Sequence, residues 1–185
     1  MGRLILVTGG ARSGKSTYAE EIARKLDGGI IYVATSLPVD EEMKLRIEKH
    51  KAQRPLNWET LEVFKDFEFH LEGKLESKVG LLLDCVTIMV TNVLMEKCQD
   101  IDNISNQEAM EVEESVKTEI DKLIALVNAK PVTFILVTNE VGMGVVPEYP
   151  SGRVFRDVAG RANQMLAKAA DEVYLCISGI PVKIK

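Results

Sequence analysis

Gly9-Gly10-Ala11-Arg12-Ser13-Gly14-Lys15-Ser16, set directly behind Leu4-Ile5-Leu6-Val7, is the stretch that decides the fold. It fits G-x-x-x-x-G-K-[ST], the loop that cradles nucleoside triphosphates. Gly9 and Gly14 let the backbone curl so that successive N–H groups aim inward at phosphate oxygens. Lys15 supplies a mobile charge for the β and γ phosphates, and the Ser16 hydroxyl is a ligand for Mg²⁺. Residues Thr17 to Leu26 read as a helix whose N-terminal dipole faces the same phosphates. Strand, loop and helix follow in the order the motif requires, so the chain is expected to bind a nucleotide.

The bulk properties fit a soluble globular protein. At 185 residues the chain has the length of one domain, expected to be a single nucleotide-binding catalytic unit over 1–185. A net charge of −5 argues against a general nucleic-acid binder, which shows basic excess or a basic stripe. The apolar runs fall far short of the roughly 20 residues of a membrane span. No cationic and hydrophobic signal segment precedes the first strand, so a cytoplasmic protein is expected. Cys85, Cys98 and Cys176 are an odd set without C-x-x-C spacing, which reads as small buried hydrophobes in a reducing compartment.

Apolar segments alternate with helical ones. Leu4 to Thr8, Gly29 to Ala34, Gly80 to Asp84, Thr133 to Thr138 and Glu172 to Ile177 are the expected strands. Leu81-Leu82-Leu83 and Phe134-Ile135-Leu136-Val137 are apolar on successive residues, as strands buried on both faces of a parallel sheet are. Ser178-Gly179-Ile180 and Pro181-Val182-Lys183-Ile184 suggest a terminal hairpin. Helices are expected over Asp40 to Lys51, over Gly160 to Ala170, and in a long element opened by the capping box Ser105-x-x-Glu108. Val116, Ile120, Leu123 and Val127 form the stripe of that long helix. Asp100 to Gln107 is polar and reads as a surface loop. The order of elements gives an open, doubly wound α/β sheet.

Three further features carry chemistry. Asp84 ends an apolar strand, where phosphate-loop proteins place a second Mg²⁺-organising acid, although many strands end in Asp. Thr138-Asn139-Glu140-Val141-Gly142-Met143-Gly144 follows another buried strand and is expected to line the crevice at the carboxyl edge. His50 shares a helix face with Met43 and Ile47. Spacing leaves two readings open for it, a helix-end histidine or a nucleophile.

The later blocks point to a family. They are Ala34-Thr35-Ser36, Arg46-Ile47-Glu48-Lys49-His50-Lys51 with Arg54-Pro55 and Trp58, the Thr138 to Gly144 segment, Phe155-Arg156-Asp157-Val158-Ala159-Gly160-Arg161-Ala162-Asn163-Gln164, and Ser178 to Lys183. With the phosphate loop, they make the chain resemble, end to end, the bifunctional adenosylcobinamide kinase/adenosylcobinamide-phosphate guanylyltransferases of cobalamin biosynthesis. Lys65 to Lys78 and Asp100 to Glu114 are the least family-like stretches.

The resemblance implies a P-loop NTPase with a RecA-like, mostly parallel sheet, assembled as a homotrimer. It implies Mg²⁺, GTP and ATP as substrates, and the corrinoid adenosylcobinamide as acceptor. It makes His50 the residue that becomes guanylylated. It puts the nucleotide against Gly9, Gly10, Ala11, Arg12, Ser13, Gly14, Lys15 and Ser16. Ala34, Thr35, Ser36, Lys51, Ala52, Gln53, Arg54, Glu62 and Asp84 complete that set. Guanine preference comes from the resemblance alone, since the Asn-Lys-x-Asp signature of guanine-binding switch proteins is absent. Two other readings stand beside it. One is a simpler phosphate-loop kinase with a structural His50, and the other is an NTP-driven switch without a small-molecule acceptor.

Overall fold

The computed structural model describes residues 2–36, 55, 57–98 and 100–185. The chain opens with β1 (Arg3–Gly9), the phosphate loop and α1 (Lys15–Arg24), followed by β2 (Ile30–Ala34) and β3 (Trp58–Glu62). A short α2 (Phe67–Leu71) and a 3-10 turn over Leu75–Ser77 lead to β4 (Gly80–Asp84) and α3 (Val86–Lys97). A second 3-10 turn, Ile101–Asn103, precedes α4 (Asn106–Ala129), β5 (Thr133–Val137) and α5 (Pro150–Ala169). The chain closes with the hairpin β6 (Glu172–Ile177) and β7 (Ile180–Lys183).

The seven strands lie in the order β3-β2-β4-β5-β1-β6-β7. Every neighbouring pair is parallel except β6 and β7. Side chains alternate across the sheet, and both faces are covered. Leu4, Leu6, Ile31, Val33, Leu81, Leu83, Phe134 and Leu136 pack toward α2, α3, α4 and α5. Ile5, Val7, Tyr32, Leu82, Ile135 and Val137 pack on the other face with Ala19 and Ala23 of α1. Two covered faces are the reason the strands read as continuous apolar runs.

The long helix starts as its capping box dictates. Glu108 N–H donates to Ser105 Oγ at 3.2 Å, and Ser105 N–H donates to Glu108 Oε2 at 2.8 Å. Its stripe Val116, Ile120, Leu123 and Val127 is buried. The terminal hairpin turns at Ser178 and Gly179, both at positive φ (51° and 84°).

Sequence and structure part in places. β5 ends at Val137, one residue short of the expected Thr138. The expected helix over Gly160 to Ala170 begins at Pro150, where a proline at its start has its φ already set for the helix. The segment Asp100 to Gln107 holds the 3-10 turn and the first residues of α4. β3, α2 and α3 are absent from the expected elements. The expected Asp40 to Lys51 helix lies outside the described residues. Cys85, Cys98 and Cys176 are free and buried, as read from the sequence. Burial pushes the thiols up, Cys85 further through the neighbouring Asp84 charge. No helix among the described residues is long and apolar enough to cross a membrane.

Candidate active site

Strand register brings the candidate residues to one edge. Ala34 lies opposite Glu62 and Asp84, and Asp84 lies opposite Val137. Val7 pairs with Val137, and Gly9 pairs with Cys176 of β6. The phosphate loop, Ala34 to Ser36, Glu62, Asp84 and the Thr138 segment therefore share the carboxyl rim of the sheet. Open α/β folds bind ligands at this rim.

The loop is shaped by close backbone packing. A Cβ at Gly9 would lie 2.5 Å from both Cys176 O and Ser13 Oγ, so no larger residue fits there. Gly14 caps α1 in the left-handed conformation (φ 89°), and its missing Cβ leaves room for Gly179, whose Cα would otherwise lie at 3.0 Å. Gly179 N–H donates to Ser13 O at 2.9 Å, so the turn of the terminal hairpin buttresses the loop. Glu140 N–H holds Gly9 O at 3.0 Å from the other side.

Lys15 begins α1 with its side chain buried, folded back so that Nζ donates to Gly10 O at 3.1 Å. Ser16 is half-buried in the first helical turn, while Gly10, Ala11 and Arg12 are exposed at the tip of the loop. No side chain caps the N-terminus of α1, so its first N–H groups suit an anionic ligand. Among the described residues, Ser13 Oγ and Thr8 Oγ1 are buried oxygens without a hydrogen-bond partner. An unpaired buried hydroxyl inside a glycine cradle fits a phosphate oxygen. For Mg²⁺ the donor chemistry fits as well: a hydroxyl at Ser16 and a carboxylate at Asp84 are hard oxygen ligands.

Asp84 is half-buried and accepts from Tyr32 Oη at 3.1 Å through Oδ2. Ala34 and Thr35 are buried, Ser36 is half-buried and Glu62 is exposed. The Thr35 hydroxyl accepts from Cys85 N–H and donates to Cys85 O, both at 2.8 Å. Its side chain thus ties the ends of β2 and β4 together. His50, Lys51, Ala52, Gln53 and Arg54 lie outside the described residues.

A polar layer lies beneath the rim, and its members Thr87 and Asn92 escape the sequence reading. Asn92 of α3 donates to Thr35 O at 2.7 Å. Thr87 Oγ1 receives Asn139 Nδ2 at 2.6 Å and lies 3.1 Å from Cys85 Sγ. Thr138 Oγ1 donates to Asn163 Oδ1 at 2.6 Å, and Asn163 Nδ2 donates to Asn139 O at 3.1 Å. Thr138 is fully buried, so this member of the expected crevice lining serves as its foundation. Each bond fixes backbone that leads to Asp84 or Gly9. Thr87→Val, which keeps the shape and removes the hydroxyl, is expected to lower stability by about 1–3 kcal/mol. Thr87→Ser should retain most of it. Urea unfolding of the two variants checks this, and equal stabilities would contradict it.

Comparison with known proteins follows the same lines. Residues 5–184 match the family model described as cobinamide kinase / cobinamide phosphate guanyltransferase. The bifunctional adenosylcobalamin biosynthesis protein CobU of Escherichia coli K12 is 46% identical over 98% of this chain and 99% of its own length. Its counterpart CobU in Salmonella typhimurium LT2 shows the same identity and coverage. CobP of Pseudomonas aeruginosa, another bifunctional adenosylcobalamin biosynthesis protein, is 34% identical over 97% of this chain and 96% of its own. A solved structure from Pyrococcus horikoshii OT3, titled a structural study of project PH0250, shares the fold with a TM-score of 0.51 at 10% identity. It covers 100% of this chain and 86% of that one.

Proposed function

The chain belongs to the cobinamide kinase / cobinamide phosphate guanyltransferase family, and from that premise we propose that it carries out both reactions at the rim described above. In the first, the hydroxyl on the aminopropanol arm of adenosylcobinamide attacks the γ-phosphorus of ATP or GTP and a nucleoside diphosphate leaves. In the second, a ring nitrogen of His50 attacks the α-phosphorus of GTP and pyrophosphate leaves. The phosphate of adenosylcobinamide phosphate then attacks the phosphorus held by His50, which frees the imidazole and gives adenosylcobinamide-GDP. A covalent stage divides a difficult transfer into two displacements.

The observation that carries this reading is the shared rim, where the phosphate loop, Lys15 and Asp84 converge. Transfers of this kind depend on positioning and on neutralising phosphate charge. Lys15 exchanges its contact with Gly10 O for phosphate oxygens, and the first N–H groups of α1 bind the same anion. Ser16 and Asp84 would hold Mg²⁺, which supplies further charge neutralisation when bound. Thr35 acts by holding Cys85 and hence the backbone next to Asp84. Attack requires the neutral imidazole, whose unprotonated ring nitrogen carries the lone pair.

The whole span 1–185 acts as one catalytic domain in the cytoplasm, without a nucleic-acid partner. The homotrimer is part of the same reading. Ile177, Ile180, Val182 and Ile184 of the hairpin region are exposed on one protomer, and β7 is an edge strand that a neighbour would cover. Sedimentation equilibrium should give three times the chain mass, and a fully active monomer would contradict it. The reactions themselves are tested by supplying Mg²⁺, GTP and adenosylcobinamide and separating the corrinoids chromatographically. Adenosylcobinamide phosphate should appear before adenosylcobinamide-GDP. Nucleotide hydrolysis with unchanged corrinoid would overturn the proposal.

A further inference from the structure

Between Asn139 and Pro150 the chain passes from the carboxyl end of β5 to the start of α5, and this connection is braced at both ends. At its start, Glu140 N–H donates to Gly9 O at 3.0 Å and Gly142 N–H donates to Glu140 Oε1 at 2.9 Å. At its end, the Arg153 guanidinium donates to Pro147 O at 3.1 Å and to Glu148 O. Pro147 rests on Gly152, where an added Cβ would come within 2.8 Å of the proline ring.

The bracing holds apolar groups out in solvent. Met143 is 81% exposed, Val145 93%, Val146 65% and Tyr149 65%. A connection with no other task would carry polar side chains here, and apolar side chains held exposed along one braced connection mark a binding surface. From Asn139 to Gly152 the chain has two carboxylates, Glu140 and Glu148, and no basic residue. The connection thus offers exposed apolar side chains and two carboxylates, with the Arg153 guanidinium turned onto the Pro147 and Glu148 carbonyls, and it starts at the residue that grips the phosphate loop. Met143 lies three residues beyond Glu140, a chain reach of roughly 10 Å.

We propose that Met143, Val145, Val146 and Tyr149 seat the corrin macrocycle of the acceptor, with Glu140 and Glu148 offsetting its charge. The inference rests on the kinase and guanylyltransferase reading, and it assigns the surface that reading leaves open. The macrocycle is too broad for the phosphate loop, so only its hydroxyl-bearing arm enters while the ring stays beside it. The ring edge carries methyl groups between its acetamide and propionamide arms, and those methyl groups suit the apolar side chains. Co(III) bound by a monoanionic ring and an alkyl carbanion leaves one positive charge, which suits the two carboxylates. A nucleotide would be repelled by the same carboxylates. A second copy of this chain is accommodated at the exposed hairpin of β6 and β7, so the proposed trimer does not need this surface.

The test is equilibrium dialysis of adenosylcobinamide against the full-length chain, read by the visible absorbance of the corrin. Val145→Ser and Val146→Ser combined change only exposed side chains outside the Thr138 to Gly144 rim segment. They should weaken corrinoid binding about tenfold or more and leave GTP affinity within twofold. Corrinoid affinity within twofold of the parent would overturn the assignment. So would weakened binding accompanied by dissociation of the assembly in sedimentation, which would make the patch a contact between copies. Dialysis needs no turnover, so failure of the parent chain to guanylylate itself would count against the proposed reaction and not against this seat.

Discussion

Replacing Lys15 with alanine is expected to lower kinase and guanylyl-transfer rates together, each by about 100-fold or more. The sequence has one phosphate-loop motif, and the proposed reading has both triphosphates use it. Lys15 Nζ lies 3.1 Å from Gly10 O and its side chain is buried, so the cation is held at the loop before any ligand arrives. Alanine also removes the hydrogen bond to Gly10, and thermal unfolding would show whether the loop survives without it. Separate assays of the two reactions decide the matter. A folded variant with full activity in either reaction would mean that two nucleotide sites exist.

His50→Ala is expected to divide the two reactions. Guanylyl transfer should fall below detection, because the displacement at the α-phosphorus loses its nucleophile. Phosphorylation of adenosylcobinamide should remain within about tenfold of the parent, since it uses the loop, Lys15 and the acceptor hydroxyl but no histidine adduct. Rates of both half-reactions measured on one preparation check this. Loss of both together with loss of the folded state would support a structural histidine. Retained guanylylation would move the nucleophile elsewhere, with Lys49 and Lys51 nearest in sequence.

How far the sequence reaches can be judged element by element. Buried parallel strands such as Leu81-Leu82-Leu83 are legible because both of their faces are covered, which leaves an uninterrupted apolar run. The capping box at Ser105 and Glu108 is legible because both partners lie within four residues. β3 escapes because Trp58–Glu62 is an edge strand, half exposed and bearing two acids. α3 escapes for the opposite reason. Val86, Met89, Val90, Val93 and Leu94 are buried among other apolar residues of the helix, which blurs its 3.6-residue period. α5 was expected to start too late because the reading missed the start signal of Pro150.

The site divides in the same way. Gly9 to Ser16 is a local pattern with a local cause, and it is readable alone. That Ala34, Glu62 and Asp84 meet it depends on strand order, which residue spacing does not encode. Thr87 and Asn92 escape the reading, and Asn163 is quoted there without a role, because each bonds a segment 24 or more residues away. The resemblance puts Thr35 beside the nucleotide, and its hydroxyl also joins β2 to Cys85, a tie that spacing does not encode.

The central claim, a histidine-bound GMP intermediate, is tested most directly with labelled GTP. The full-length chain is incubated with Mg²⁺ and GTP labelled at either the α or the γ phosphate, without corrinoid, and protein-bound label is measured after denaturation. The account predicts label from α-GTP and none from γ-GTP, because pyrophosphate leaves with the γ phosphate. The bond should be acid-labile and alkali-stable, as a phosphoramidate is, and the label should be absent from His50→Ala. Protein-bound label from γ-GTP, or none from either, would contradict it.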